Sequence, residues 1–158
     1  MPQSLVFEFE NIKPKLQSLN KDNINLLQEI YQYIDKIVST QDKVISCSKG
    51  CSRCCKMDIQ ITELEANYIS KMTKIQYTNN NKISNKHTNN CPFLKNDLCS
   101  IYEYRPLYCR YHVIYSNPDN CGLPHEQEEK FSNSFINKIQ MYNLICNKGY
   151  KDIRDWFV

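Results

Sequence analysis

Residues 47–55 read Cys47-Ser48-Lys49-Gly50-Cys51-Ser52-Arg53-Cys54-Cys55 and hold four of the chain's nine cysteines. Thiolates are strong ligands for zinc and for iron-sulfur clusters, and Cys-x3-Cys-x2-Cys on a short loop lets three sulfurs converge as the backbone turns around one centre. Cysteines that serve only as small buried hydrophobes recur at helix or strand periods. These four instead have Ser48, Lys49, Gly50, Ser52 and Arg53 as neighbours, the composition of a polar loop. A disulfide framework fits poorly as well. The cysteine count is odd, adjacent Cys54 and Cys55 are poor partners for each other, and residues 1–10 lack a basic stretch followed by a long apolar run. The stretch therefore predicts a metal-binding loop in a reducing, cytoplasmic setting.

Outward from this loop the chain reads as helix on both sides. Over residues 22–44, Ile24, Leu27, Tyr31, Ile34 and Val38 recur at spacings of three and four, which gives a helix with one face inward. The stripe is too short for a coiled-coil dimer seam and is read as core packing. After the cysteines, Thr62 and Glu65 form a capping-box pattern that starts a helix over 63–72, with Leu64, Tyr68, Ile69 and Met72 inward. Residues 5–10 suit a short strand or the start of a helix, which Pro14 limits. Residues 73–90 carry six asparagines and read as an exposed loop, in which His87 is expected to face solvent.

A second cysteine block follows, with Cys91, Cys99, Cys109 and Cys121 separated by seven, nine and eleven residues. These spacings are too long for one knuckle, so the fold has to gather the thiols. Asn96-Asp97 is a turn signal that can set Cys91 beside Cys99 across a hairpin-like loop. His112 follows Cys109 by three and shares its helix face, as a packed histidine or as a ligand. Residues 126–148 form an amphipathic pattern through Phe131, Phe135, Ile136, Ile139, Tyr142 and Ile145, ending at Gly149. Cys146 lies on or beside that apolar face and reads as packing. The tail, 151–158, is expected to dock Ile153, Trp156 and Phe157 onto the core.

At 158 residues the chain is expected to be one mainly α domain, with a cysteine-bearing core over 47–121 and helical flanks over 1–46 and 126–158. A net charge of +3 with no long basic tract gives no nucleic-acid footprint. No apolar run approaches a membrane span, and mean hydropathy is −0.60. Gly50, Gly122 and Gly149 are the three glycines, too scattered to cradle a nucleotide. A protein or redox partner is the remaining expectation.

The strings CSKGCSRCC, ITELEA, CPFL and CSIYEYRPLYCR resemble the bacterial cysteine-cluster family of zinc- or iron-chelating domains, with a Cys-x3-Cys-x2-Cys-Cys signature. The resemblance covers about residues 47–121 and implies eight metal ligands: Cys47, Cys51, Cys54, Cys55, Cys91, Cys99, Cys109 and Cys121. The cluster is also similar to that of flagellin lysine-N-methylase, a much longer chain. That similarity implies, as an alternative, S-adenosylmethionine-dependent methylation of a protein lysine. An adaptor with purely structural zinc is another. The first three cysteines have the spacing of radical S-adenosylmethionine enzymes, which favours an iron-sulfur cluster over zinc, although the chain is too short for their barrel. Cys47, Cys51 and Cys54 are expected to share one centre with a thiol of the second block, and Cys55 to join the rest. Lys49, Arg53, Lys56, Arg105 and Arg110 are expected to lower thiol pKa values.

Overall fold

Hydrophobic spacing over the first forty residues produces two helices joined by a tight turn. The computed structural model describes residues 3–40, 45–47, 50–79, 87–114, 117–121 and 149–158. Helix α1 (Gln3–Ile12) settles the ambiguous 5–10 stretch as helix and passes into a 3-10 turn over Lys13–Ser18. Pro14 falls at the start of that turn, where a missing amide hydrogen costs little. Helix α2 (Ile24–Ser39) buries Leu26, Leu27, Ile30, Tyr31, Tyr33, Ile34 and Ile37, with Ile24 and Val38 packed at the margin. It is shorter than the 22–44 reading, because Thr40 closes the last turn onto Lys36 and Ile37; residues 41–44 lie outside the described residues.

Strand β1 (Gln60–Thr62) leads directly into α3 (Glu63–Thr73), and the capping box forms as the sequence predicts. Glu65 N–H donates to the Thr62 hydroxyl while the Glu65 carboxylate accepts from the Thr62 amide at 2.9 Å. Helix α3 separates two apolar cores. Leu64 and Tyr68 pack with α1 and α2, whereas Ala66 and Ile69 face Ile59, Phe93, Ile101 and Trp156. Met72 was expected inward but is 42% exposed, since the final turn runs past both cores before Lys74 ends it in a left-handed conformation.

The chain's end is part of the second core. Strand β4 (Tyr150–Asp152) pairs antiparallel with β1, Ile61 opposite Lys151, and a single helical turn, α5 (Ile153–Trp156), follows. Ile153, Trp156 and Phe157 are buried as expected, and the Trp156 indole donates to the Ile61 carbonyl at 3.2 Å. The strand that leads into them was not foreseen, because three residues are too few for a period-two pattern.

His87 corrects a second expectation. Its side chain is only 11% exposed, with Nε2 3.0 Å from an Asp155 oxygen and Nδ1 3.5 Å from Asp58. Three carboxylates from distant segments draw it inward from the asparagine-rich stretch. The 126–148 helix, Cys146 included, lies outside the described residues. Among the described residues, no helix is long and apolar enough to cross a membrane.

Candidate metal centre

The first cysteine loop turns at Gly50, whose φ of +101° is a conformation side-chain-bearing residues rarely adopt. A 3-10 turn over Arg53–Lys56 then presents Cys54 and Cys55. The second block is shaped by a two-residue hairpin between β2 (Leu94–Lys95) and β3 (Leu98–Cys99). Asn96 and Asp97 both have positive φ, 51° and 58°, as a type I′ turn requires. The turn signal is thus realised, with Leu94 opposite Cys99 and the Leu94 amide donating to the Cys91 carbonyl. Helix α4 (Leu107–Tyr111) carries Cys109 and ends at His112.

Four separate contacts hold the two blocks together. Ser46 N–H donates to the Ile114 carbonyl at 2.9 Å, and Cys91 N–H to the Cys55 carbonyl at 2.7 Å. The Ser52 hydroxyl donates to Asp97 at 3.3 Å, and Arg53 pairs with Asp119. Helix α4 is placed by Glu65, whose Oε1 accepts from the Leu107 amide at 2.8 Å and from the Tyr31 hydroxyl at 3.0 Å. One buried carboxylate therefore joins α2, α3 and α4. Burial raises its pKa above the ordinary carboxylate value even with those donors opposing.

These elements enclose a cavity of about 290 Å³, lined by Cys47, Cys51, Cys54, Cys55, Cys99, Cys109 and Cys121, together with Arg105 and His112. The eighth expected thiol, Cys91, is buried behind this wall and couples electrostatically to Cys99 and Cys109. None of the eight is in a disulfide. Sequence segments some forty residues apart thus deliver their sulfurs to one place.

Cys54, Cys91, Cys99 and Cys109 are held in their neutral form. A hydrogen bond with Cys55, then burial, raises the Cys54 pKa; burial pushes Cys91 up to about 11 and raises Cys99 and Cys109. Arg105 pulls Cys54 and Cys99 downward as expected of a cation, but the Cys55 hydrogen bond and burial outweigh it at Cys54, and burial does so at Cys99. Arg110 is occupied elsewhere, stacked 4.1 Å over the Tyr31 ring, paired with Asp35 and bonded to the Arg105 and Glu103 carbonyls. Lys49 lies outside the described residues.

Cys54 is hydrogen-bonded to Cys55 and lies near Cys99 and Cys109, and Cys109 lies near Cys91, so thiols of both blocks meet around Cys54. On the far side of the cavity, Cys121 Sγ lies 3.6 Å from His112 Nε2. Among the described residues, the ligand-type group whose atoms all close to within 4.8 Å of one another is Asp58, His87 and Asp152. The sulfurs are spread more widely. Arg154, which ties that carboxylate group to the Met57 carbonyl at 2.8 Å, carried no sequence signal for that role, since Asp58 and Met57 lie over ninety residues away. The donor set of the cavity, soft thiols with one imidazole, suits zinc or an iron-sulfur cluster.

Residues 46–147, well over half of the chain, match the family described as "Putative zinc- or iron-chelating domain" and named for a CxxCxxCC signature. Here three residues rather than two separate Cys47 from Cys51, one more than that signature. No curated protein and no solved structure matches the chain, and the similarity to flagellin lysine-N-methylase is not among the findings. With both blocks on one cavity and that match spanning both, the chain belongs to this family of zinc- or iron-chelating cysteine domains.

Proposed function

We propose that the cavity holds metal through Cys47, Cys51, Cys54, Cys55, Cys91, Cys99, Cys109 and Cys121, and that an iron-sulfur cluster is its main occupant. The protein then works in the cytoplasm as an electron carrier or as a sensor of redox state or metal supply, with a protein or redox partner. The carrying observation is that seven of these sulfurs, from both blocks, line a single cavity. A second feature favours a cluster over zinc. Tetrahedral zinc with bonds of about 2.3 Å needs its sulfurs about 3.8 Å apart. A cluster interposes its own sulfide and iron, and so suits thiols spread around a roomy cavity.

When bound, an iron-sulfur cluster supplies one-electron chemistry. The chain's residues supply the thiols, the low-dielectric wall of Ile101, Tyr104 and Phe93 behind them, and the Arg105 charge that offsets a thiolate centre. Anaerobic purification with iron, sulfide and zinc analysis tests the reading. Iron and acid-labile sulfide in equal amounts, with a visible absorption that bleaches on reduction, are the expected result. Colourless stoichiometric zinc replaces it with a structural adaptor, and tight binding of S-adenosylmethionine revives the lysine-methylase alternative. Cys51→Ser should lose metal under the same analysis.

A further inference from the structure

Glu65 is only 2% exposed, and its carboxylate accepts four hydrogen bonds. Oε2 takes the Thr62 amide at 2.9 Å and the Thr62 hydroxyl at 3.2 Å, while Oε1 takes the Leu107 amide at 2.8 Å and the Tyr31 hydroxyl at 3.0 Å. All four donors are neutral groups. The cap of α3 does not call for this arrangement, because a capping box accepts glutamine as well as glutamate and glutamine buries no charge. What glutamate adds is a second acceptor oxygen for an amide outside its own helix, and a negative charge inside the core.

That outside amide begins α4, the helix that carries Cys109. With five residues α4 is too short to hold its shape alone, and Pro106 at its start gives no side-chain cap. Leu107, two residues before Cys109, is anchored by Glu65; Arg110, the residue after it, is anchored by Asp35 and by the Glu103 and Arg105 carbonyls. Tyr31 joins the two anchors, since its hydroxyl meets Glu65 and its ring lies 4.1 Å from the Arg110 guanidinium. Cys109 therefore enters the cavity wall between two fixed points. The Glu65 charge reaches it as well, adding to burial and the neighbouring thiols in raising the Cys109 pKa.

Resting on the iron-sulfur reading above, we propose that Glu65 is a positioning residue of the metal centre: it fixes Cys109 through the Leu107 amide, and its buried charge lowers the centre's reduction potential. Reduction adds one electron to the centre, and a carboxylate nearby in a low-dielectric core opposes that added charge. Removing the carboxylate charge makes the centre easier to reduce.

The test uses the full chain, loaded anaerobically with iron and sulfide. Its visible absorption is followed while dithionite is added against redox dyes of known potential, and iron loss to a chelator is timed separately. Glu65→Gln is expected to keep its iron and sulfide, to be reduced at a more positive potential than the wild type, and to lose iron about tenfold faster. Thr62→Ala loosens the start of α3 but leaves the charge, so it should melt lower with an unmoved potential. Tyr31→Phe removes one donor from Oε1 and keeps the ring against Arg110; its iron should leave about fivefold faster, the worth of one hydrogen bond, and it stands in where Glu65→Gln does not fold. A Glu65→Gln potential equal to that of the wild type, a Thr62→Ala shift as large as that of Glu65→Gln, or unchanged iron loss in Tyr31→Phe overturns the proposal and leaves the parent reading intact. Wild-type protein that takes up no iron and sulfide overturns both.

Discussion

Two clusters of ligand-type side chains share the short segment from Cys54 to Asp58, and they are built in opposite ways. The carboxylate cluster of Asp58, His87 and Asp152 is tight, with its ligand atoms within 4.8 Å, yet a cation is already built in. Arg154 Nη1 lies 3.0 Å from both Asp152 oxygens and 3.3 Å from Asp58. The thiol cluster is looser and carries its own protons, since burial and mutual proximity raise Cys91, Cys99 and Cys109. Its charge appears only when a metal displaces those protons. Closeness of ligand atoms therefore does not by itself make a metal site; what decides is whether the negative charge has already been neutralised.

The largest effect that would break this comparison is loss of metal from the wrong cluster. Cys54→Ser removes the thiol to which Cys55, Cys99 and Cys109 are coupled. Structural thiolate sites contribute on the order of 10 kcal/mol to folding through the ion, so this variant should lose its metal and melt well below the wild type. Asp58→Asn should keep the full metal content. Metal analysis and calorimetry on the two variants read the difference directly, and equal losses would mean the carboxylates hold the ion.

Next in size is Arg154→Met. Asp152 is only 2% exposed, and removing the Arg154 guanidinium strips this buried carboxylate of its nearest cation, at a cost of about 3 kcal/mol. Chemical denaturation of the variant measures that loss. The same substitution frees Asp58, His87 and Asp152 from their internal cation, so the variant should acquire Mn(II) binding that the wild type lacks, read from the electron paramagnetic signal of free Mn(II). No gain of Mn(II) binding would show that geometry, not Arg154, keeps this cluster from taking metal.

What the sequence revealed and what it hid follow the same divide. The cysteine loop, the α2 stripe from Leu27 to Ile34 and the Thr62–Glu65 cap were readable because each is written within one or two helical turns. The same locality made Asn96-Asp97 readable as a turn. Glu65 was legible as a cap but not as the acceptor for Tyr31 and Leu107, which come from other helices. His87 sits in a polar sequence and was expected in solvent because nothing nearby announces Asp152 or Asp155. The approach of Cys54 to Cys99 and Cys109 was hidden likewise, since spacings of over forty residues do not say which thiols the fold brings together.

Proton accounting sharpens the comparison at the thiols. An unfolded thiol titrates near 8.5, and the folded values of Cys54, Cys91, Cys99 and Cys109 lie higher. A raised value means the metal-free fold binds the proton more tightly than the unfolded chain. Its contribution to stability is complete below about pH 8.5 and is lost as pH rises through the folded values, about 11 for Cys91. The melting temperature of metal-free protein should therefore fall in alkali, and Cys91→Ala should flatten that fall. Metal uptake at pH 7 should release about one proton per ligating thiol in weakly buffered solution. Uptake without proton release would place the ion away from these sulfurs.

The smallest effect belongs to His87. Its hydrogen bond to Asp155 raises its pKa, reinforced by the Asp152 and Asp155 charges and opposed by burial and by Arg154. Because the folded value is raised, the stabilisation is fully present below the unfolded value of about 6.5 and disappears as pH climbs through the folded one. The charged hydrogen bond at stake is worth on the order of 1 kcal/mol, so the slope of stability with pH in this window should be shallow. His87→Gln should remove that slope while leaving metal content as it was, because the carboxylate cluster and the thiol cavity answer to different cations. A slope that persists in the variant would assign the titration elsewhere, and a change in metal content would mean that the two clusters are coupled through the shared segment from Cys54 to Asp58.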